Sequence, residues 1–377
     1  MILHIAPDDK FIDMAYNMFE KVSPNNNEFI VVTKQKKFRY IKTTPITKIS
    51  HFEFLSKKFI TSLGRYEFVV IHSLSDVAKQ LILKSDDKIK FVWLGWGYDY
   101  YCYLDKKLLL EKTLHLQKKI SAQTPIRKKI LQKTKNFIKE NILYRDASEP
   151  IKVFKKINFF APVLYEDYLL LQNQFSKFTP QYLDWNYGTL EDDLIKQDLK
   201  ISGRNILLGN SATFENNHIE AIDLLCKLNL ENRKIICPLS YGSEEYAKEV
   251  INYGKKKFGD KFEPLVDFMK IEEYNQIIST CSIVVMNHLR QQAVGNIIIM
   301  MYFGAKVFLN KENPVYKFFK SNGAIIFSME ELTNENIKTE LTEYEKNINK
   351  EILKKYWSRD VILKKTKNLI ETMRKII

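Results

Sequence analysis

Short apolar runs alternate with longer amphipathic segments almost from end to end, the pattern of βαβ units feeding a parallel sheet. In the first half, Ile2–Ala6, Glu28–Thr33, Phe68–His72 and Phe91–Leu94 read as buried strands, with Val153–Phe160 as a later candidate. Between them, Asp9–Val22 and Leu74–Lys84 carry apolar residues at the 3.6 spacing of helices. The pattern lapses around Leu183–Ser202 into a polar, acidic stretch and resumes at Asn205. From there strands are predicted at 205–208, 234–238, 262–265, 282–286, 306–309 and 324–326, with helices at 217–228, 243–258, 271–280 and 293–302. From Thr342 the chain is Lys/Glu/Ile-rich and reads as helical to the end. The predicted class is α/β, with two Rossmann-like doubly wound domains: residues 1–190, a linker at 191–204, a second domain at 205–341, and C-terminal helices at 342–377 packing back on the first domain.

Composition narrows the class further. The chain has 377 residues, of which 45% are hydrophobic, so it can bury real cores and is not disordered. Cys102, Cys226, Cys237 and Cys281 are scattered without CxxC or Cys/His spacing, which indicates neither a disulfide framework nor a zinc site. No basic n-region with a long apolar stretch opens the chain, and no apolar window reaches about 18 residues, so neither export nor a membrane span is expected.

Charge changes the picture most. Fifty-nine Lys+Arg against 45 Asp+Glu give +14, which calls for a polyanionic partner. Residues 106–145 hold twelve Lys/Arg and two acids, a net +10, interleaved with leucine and isoleucine at roughly helical spacing. A basic amphipathic helix pair of this kind is expected to rest on an anionic membrane surface. The competing reading is a core-packed helix with solvated lysines. No nucleic-acid motif accompanies the charge, so nucleic acid is not expected as a partner.

Two segments carry candidate chemistry. The predicted strand 205–208 runs into Gly209, Asn210 and Ser211, where small residues let backbone N–H groups approach an anion. This is neither GxGxxG nor a P-loop. A second buried strand ends at Asn287–His288, followed by Arg290, Gln291 and Gln292, then Gly295 and Asn296 opening a helix. The planar fork of Arg290 suits a diphosphate. Asp192–Asp193 lies in the linker and is not read as a metal-binding DxD motif, so no divalent metal is expected.

With these motifs in view, the chain resembles the bacterial dTDP-N-acetylfucosamine:lipid II N-acetylfucosaminyltransferase family of enterobacterial common antigen assembly. The residues that carry the resemblance are Ile206–Ser211 with Asn217 and His218, Pro238 with Tyr241 and Gly242, Arg290–Gln292 with Gly295, and Leu309–Asn310 with Glu312–Pro314. Trp96, Gly97 and Asp99 in the first half match the family's Trp-Gly-x-Asp, and His72 falls where the family also has a histidine. The resemblance is strong over about 205–315 and thin elsewhere.

It implies a GT-B fold, which two α/β halves closed by C-terminal helices also describe. It further implies a peripheral enzyme at the cytoplasmic face of the bacterial inner membrane. The expected donor is a nucleotide sugar, dTDP favoured, with no separate cofactor; the acceptor is an undecaprenyl-diphosphate-linked saccharide. A GT-B nucleotide-sugar epimerase, or a transferase using UDP- or GDP-sugars, is the alternative. On this reading the second domain holds the donor. Gly209, Asn210, Ser211, Arg290 and the Gly295–Asn296 helix start would face the diphosphate. Gln291, Gln292, Asn310, Glu312 and Asn313 would bind sugar or nucleoside, although Glu312–Asn313 also reads as a helix start. Tyr241 would stack on the base unless it is an ordinary loop tyrosine. The catalytic base of an inverting mechanism would come from the first domain, either Asp99 or His72; their other readings are a structural hydrogen-bonding aspartate and a partly buried histidine.

Overall fold

The strand runs are apolar because both faces of each are covered. In the computed structural model, which describes residues 1–123 and 149–376, the strands β1 (Ile2–Ala6), β4 (Phe68–His72) and β5 (Phe91–Leu94) are buried at every position. So are β11 (Cys281–Met286) and β12 (Lys306–Leu309). Such strands belong to parallel sheets clad by helices on both sides. With β2 (Asn27–Val32), β3 (Ile46–Ile49), β6 (Phe159–Ala161) and β7 (Gln181–Tyr182), the first sheet has seven strands in the order β3-β2-β1-β4-β5-β6-β7. The second adds β8 (Asn205–Leu208), β9 (Ile235–Pro238), β10 (Phe262–Leu265) and β13 (Phe327–Ser328), and its order is β10-β9-β8-β11-β12-β13. All the strand pairs are parallel. The order reverses between β1 and β4 in one sheet and between β8 and β11 in the other.

The two sheets lie in two units whose boundaries differ from the predicted ones. Of the described residues, unit 1 takes 1–105, 149–189 and 357–376, and unit 2 takes 106–123 and 190–356. The early excursion has a local cause. In the helix Glu111–Gln123, Thr113 gives both its N–H and its hydroxyl to Glu220, at 2.8 and 2.5 Å. Leu110 N–H donates to Asn217 Oδ1 at 2.8 Å, and Leu116 and Ile120 pack on the unit 2 core. The apolar face expected to dip into a bilayer is therefore used in packing over 111–123. The remainder of the 106–145 expectation, from 124 onward, lies outside the described residues.

The C-terminal helices also divide. The helix Glu343–Trp357 belongs to unit 2 apart from its last residue, and Arg359–Lys375 belongs to unit 1. Leu369, Ile370 and Met373 of the latter are buried with Ala15, Phe19, Phe68 and Trp185, each such side chain contributing about 1.5–3 kcal/mol of apolar burial. Trp185 Nε1 donates to Thr366 Oγ1 at 2.9 Å. Among the remaining differences, Pro150–Phe154 is helical where a strand had been expected to begin, and β6 starts only at Phe159. Pro150 at the first helical position and a buried aromatic cluster around Phe154 decide that segment. Among the described residues no helix is long and apolar enough to cross a membrane.

One ion-pair cluster ties the termini of unit 1. Glu67 accepts from Arg374 Nε at 2.6 Å and from the N-terminal ammonium at 2.8 Å, which together hold its carboxyl down at about 2. A depressed carboxyl stabilises fully above its ordinary range near pH 4 and loses that contribution as pH falls toward about 2. Because the group is partly solvated, Glu67→Gln should cost only about 1 kcal/mol at neutral pH in urea titrations. The difference from the parent should vanish in titrations run below about pH 2.

Candidate active site

In open parallel sheets, ligands sit beyond the carboxyl ends of the strands where the order reverses. In unit 2 that point lies at the ends of β8 and β11, where the two motif segments emerge. Gly209 follows β8 with φ +66°, and a Cβ there would stand 2.4 Å from His218 Nε2 and 2.7 Å from Asn216 Oδ1. Glycine is required on both counts.

The site is organised by Asn216, 1% exposed, a residue the sequence reading passed over. Its Nδ2 donates to Ser211 Oγ at 3.2 Å, Thr213 O at 3.2 Å and Thr213 Oγ1 at 2.9 Å. Its Oδ1 therefore faces two donors, Asn210 N–H at 3.0 Å and His288 Nε2 at 2.8 Å. Because that oxygen only accepts, His288 carries its proton on Nε2, which leaves Nδ1 as a bare acceptor. Burial, then the Arg290 cation and His218, hold His288 well below its ordinary pKa, so the ring stays neutral. His288 Nδ1 is buried without a hydrogen-bond partner.

Gln292 repeats the pattern. Its Nε2 donates to Asn210 Oδ1 at 3.0 Å and to Thr213 Oγ1 at 3.1 Å, while Oε1 is buried and unpartnered. Asn210 Nδ2 in turn donates to Tyr241 OH at 2.8 Å, and the Tyr241 ring is 56% exposed. The structure thus joins Gly209, Asn210, Ser211, Tyr241 and Gln292 in one network. It carries two buried acceptors awaiting donors, which a polar ligand supplies more readily than apolar surroundings do. Ser211 is fully buried with its hydroxyl engaged inside the turn, so it shapes the loop.

Arg290 is half-buried beside this network, one Nη1 donating to Gln291 O at 3.0 Å. Gln291 is 5% exposed. The helix Val294–Phe303 begins after Ala293, which holds a left-handed φ of 60°. Its N-terminal N–H groups favour an anion. Gly295 sits in the first turn with an ordinary φ; an added Cβ would meet only Leu194, at 3.7 Å. The Asn296 side chain is hydrogen-bonded to the half-buried Tyr274. Asn310 Nδ2 donates to Asn287 Oδ1 at 3.2 Å, placing it behind the end of β11, and Asn287 Nδ2 is another buried, unpartnered donor. Glu312 and Asn313 follow their second reading. Glu312 is exposed and its carboxylate faces Lys317 at 3.8 Å, while Asn313 caps the helix Pro314–Ser321 through Val315 N–H at 2.9 Å.

In unit 1 both expected bases are engaged by their own surroundings. Asp99, 5% exposed, accepts from Leu74 N–H, Trp93 Nε1 and Trp96 N–H, each at 2.8 Å. These bonds fasten the loop after β5 to the loop after β4, the structural reading of this aspartate. His72, 1% exposed, is held by His4 Nδ1 at 3.0 Å and Tyr187 OH at 2.7 Å, and burial pushes it down to about 3.

Two half-buried carboxylates lie beyond β1: Asp8, which accepts the backbone N–H groups of residues 39–41, and Asp9. One oxygen of Asp9 accepts from Phe11 N–H at 3.1 Å, and burial raises its pKa. It lies near Tyr98, whose hydroxyl meets Ser73 Oγ at 2.6 Å, and Ser73 adopts a left-handed φ of 67°. The Pro7–Asp8–Asp9 run after the first strand was the signal for it. Asn216 had a signal too, standing directly before the Asn217–His218 pair. Among the described residues no group of three His, Cys, Asp or Glu could hold a metal.

Solved structures place this architecture. Sucrose-phosphate synthase (tll1590) from Thermosynechococcus elongatus matches with a TM-score of 0.67 at 8% identity, covering 100% of this chain and 99% of its own. A glycosyltransferase from Rickettsia africae ESF-5 matches at 0.60 and 13% identity, covering 100% and 98%. Anabaena Alr3699/HepE, in complex with UDP and glucose, matches at 0.61 and 11% identity, covering 99% of each chain. At these identities the likeness establishes the fold, GT-B. Residues 178–356, which hold nearly all of unit 2, match the family of 4-alpha-L-fucosyltransferases, glycosyl transferase group 56.

The chain is therefore a glycosyltransferase, a hexosyltransferase built on two parallel α/β units. Over those matched residues its sequence is similar to the group 56 fucosyltransferases, the family whose motifs it carries.

Asn216→Ala would leave Asn210 N–H, His288 and the Thr213 turn without their common partner. It should destabilise unit 2 by about 2–4 kcal/mol in thermal melts. Gly209→Ala should destabilise it comparably, because the methyl group meets His218 and the φ is unfavourable.

Proposed function

We propose that the chain transfers N-acetylfucosamine, or a closely related amino-dideoxyhexose, from its dTDP-linked donor to an undecaprenyl-diphosphate-linked saccharide in enterobacterial-common-antigen-type synthesis. The observation that carries this reading is the unit 2 network at the β8/β11 switch, which coincides with the family match over 178–356. Its buried acceptors, His288 Nδ1 and Gln292 Oε1, suit the hydroxyl, acetamido or imide N–H donors of a sugar or nucleobase. Arg290 and the start of the helix Val294–Phe303 suit the diphosphate, and Tyr241 offers an exposed ring for the base. The Anabaena protein of the same fold is described with UDP and glucose, which supports a nucleotide-sugar donor.

As the glycosidic bond to the donor breaks, the leaving nucleoside diphosphate gains charge. The Arg290 guanidinium and the helix N–H groups, fixed in advance, stabilise it more in the transition state than in the ground state. Unit 1 supplies the acceptor side. Asp9 takes the proton of the attacking hydroxyl as that oxygen bonds to the anomeric carbon, while His72 and Asp99 hold the loops around it. No cofactor beyond the donor enters this reading. The enzyme works from the cytoplasmic face of the membrane that carries its acceptor.

A thermal-shift panel of dTDP, UDP and GDP tests the donor: dTDP should shift melting most, and UDP or GDP leading would move the chain to another donor. Arg290→Ala should weaken nucleoside diphosphate binding by tenfold or more without changing the melting temperature of the free protein. Asp9→Asn should lower turnover with a lipid-diphosphate saccharide by about 10²–10⁴ while nucleotide binding persists. Because burial raises Asp9, the acid limb of the parent's pH–rate profile should lie above the usual aspartate range, with activity falling as pH drops through it.

A further inference from the structure

The edge strand of unit 1 carries a second concentration of charge. Residues 34–65 contain Lys34, Lys36, Lys37, Arg39, Lys42, Lys48, Lys57, Lys58 and Arg65 against Glu53 alone, a net +8 in 32 residues. All nine cations are exposed. Among the described residues only Arg65 has a carboxylate within ion-pair reach, Glu28 at 3.5 Å. With +10 in 106–145 and +14 overall, the remaining 305 residues sum to −4, so the excess is confined to these two stretches.

The fold directs this charge outward. The connection from β2 to β3 is strapped down by two carboxylates. Asp8 accepts the N–H groups of Arg39, Tyr40 and Ile41 at 2.6, 3.0 and 3.1 Å, and Asp13 those of Lys42, Thr43 and Thr44 at 2.8, 3.2 and 2.9 Å. These acids hold backbone, and both are kept below the ordinary aspartate range: burial opposes this, but the backbone N–H groups and the Thr44 hydroxyl prevail. Lys48 on β3 lies 4.4 Å over the Phe38 ring, which packs the loop along the strand. Two short helices follow, His51–Phe54 and Lys57–Ser62, each capped by a serine. Phe54 is fully buried, whereas Phe52 is 84% exposed.

We infer that this edge is a docking surface for an anionic lipid bilayer. The exposed lysines meet the headgroups and Phe52 enters the interface. Lysine clusters bind such surfaces as point charges, about fivefold in affinity for each residue brought near, and an aromatic ring in the interface gives up its unfavourable exposure to water. Seven of the nine cations are lysines, which favours a charged surface over the planar forks with which arginine reads nucleic acid. The inference rests on the proposed lipid-linked acceptor only in naming the bilayer as the anionic surface.

Co-sedimentation of the full chain with phosphatidylcholine vesicles, with and without about a quarter phosphatidylglycerol, tests it. The parent should bind the anionic vesicles and be released by salt, and should ignore the neutral ones. The variant K34Q/K36Q/K37Q/K57Q/K58Q should lose at least a hundredfold in vesicle affinity, and Phe52→Ser about tenfold, with unchanged melting temperature. Unchanged sedimentation of both variants overturns the proposal. So does binding of the parent to single-stranded DNA with no binding to vesicles. Nucleoside diphosphate binding, measured on the same samples without vesicles, reads the donor assignment independently, so either claim can fail alone.

Discussion

Unit 2 of this enzyme depends on one amide held the right way round. Asn216 presents its NH₂ to the Thr213 turn and its oxygen to Asn210 and His288, so it fixes both the loop after β8 and the loop after β11. Reversing it would put donor against donor at two buried sites, each costing about 1–3 kcal/mol. Its orientation also sets the proton on His288 and so decides that the free imidazole nitrogen is an acceptor. The site's polarity follows from a single side chain rather than from a catalytic charge.

Unit 1 uses its buried polar groups to the opposite end. Asp99 takes three donors, and both ring nitrogens of His72 are engaged, by His4 and Tyr187. His72, the last residue of β4, joins β1 to the Tyr187 segment, and Asp99, beyond β5, joins the loops after β4 and β5. Asp9 faces fewer donors than Asp99, while burial raises both carboxyls. In the proposed mechanism the fastening carboxylate and the reactive one differ in how many donors each faces.

Much of the fold was legible because buried parallel strands are apolar throughout: β1, β4, β5, β8 and β9 fall where their apolar runs predict. The missed strands are edges. β3 and β7 carry exposed or half-exposed positions and look polar. The sites beyond β8 and β11 were legible as motifs, but roles within them were not. Ser211, Glu312 and Asn313 have the side chains a ligand site needs, yet only coordinates show them turned to Thr213, Lys317 and the backbone of Val315. The basic amphipathic stretch offers a related case in its described part, up to residue 123. Periodicity shows that Leu116 and Ile120 share a face, not that the face meets the unit 2 core.

The chain passes between the two units four times, once near 105, once between 123 and 149, once near 189 and once near 356. During synthesis, unit 1 begins first and finishes last, since Leu369, Ile370 and Met373 close a core begun by Ile2 and Ala15. Until the helix Arg359–Lys375 leaves the ribosome, the first sheet has an uncovered apolar face, while unit 2, complete by about residue 356, can already be folded. Unit 1 therefore matures only after unit 2.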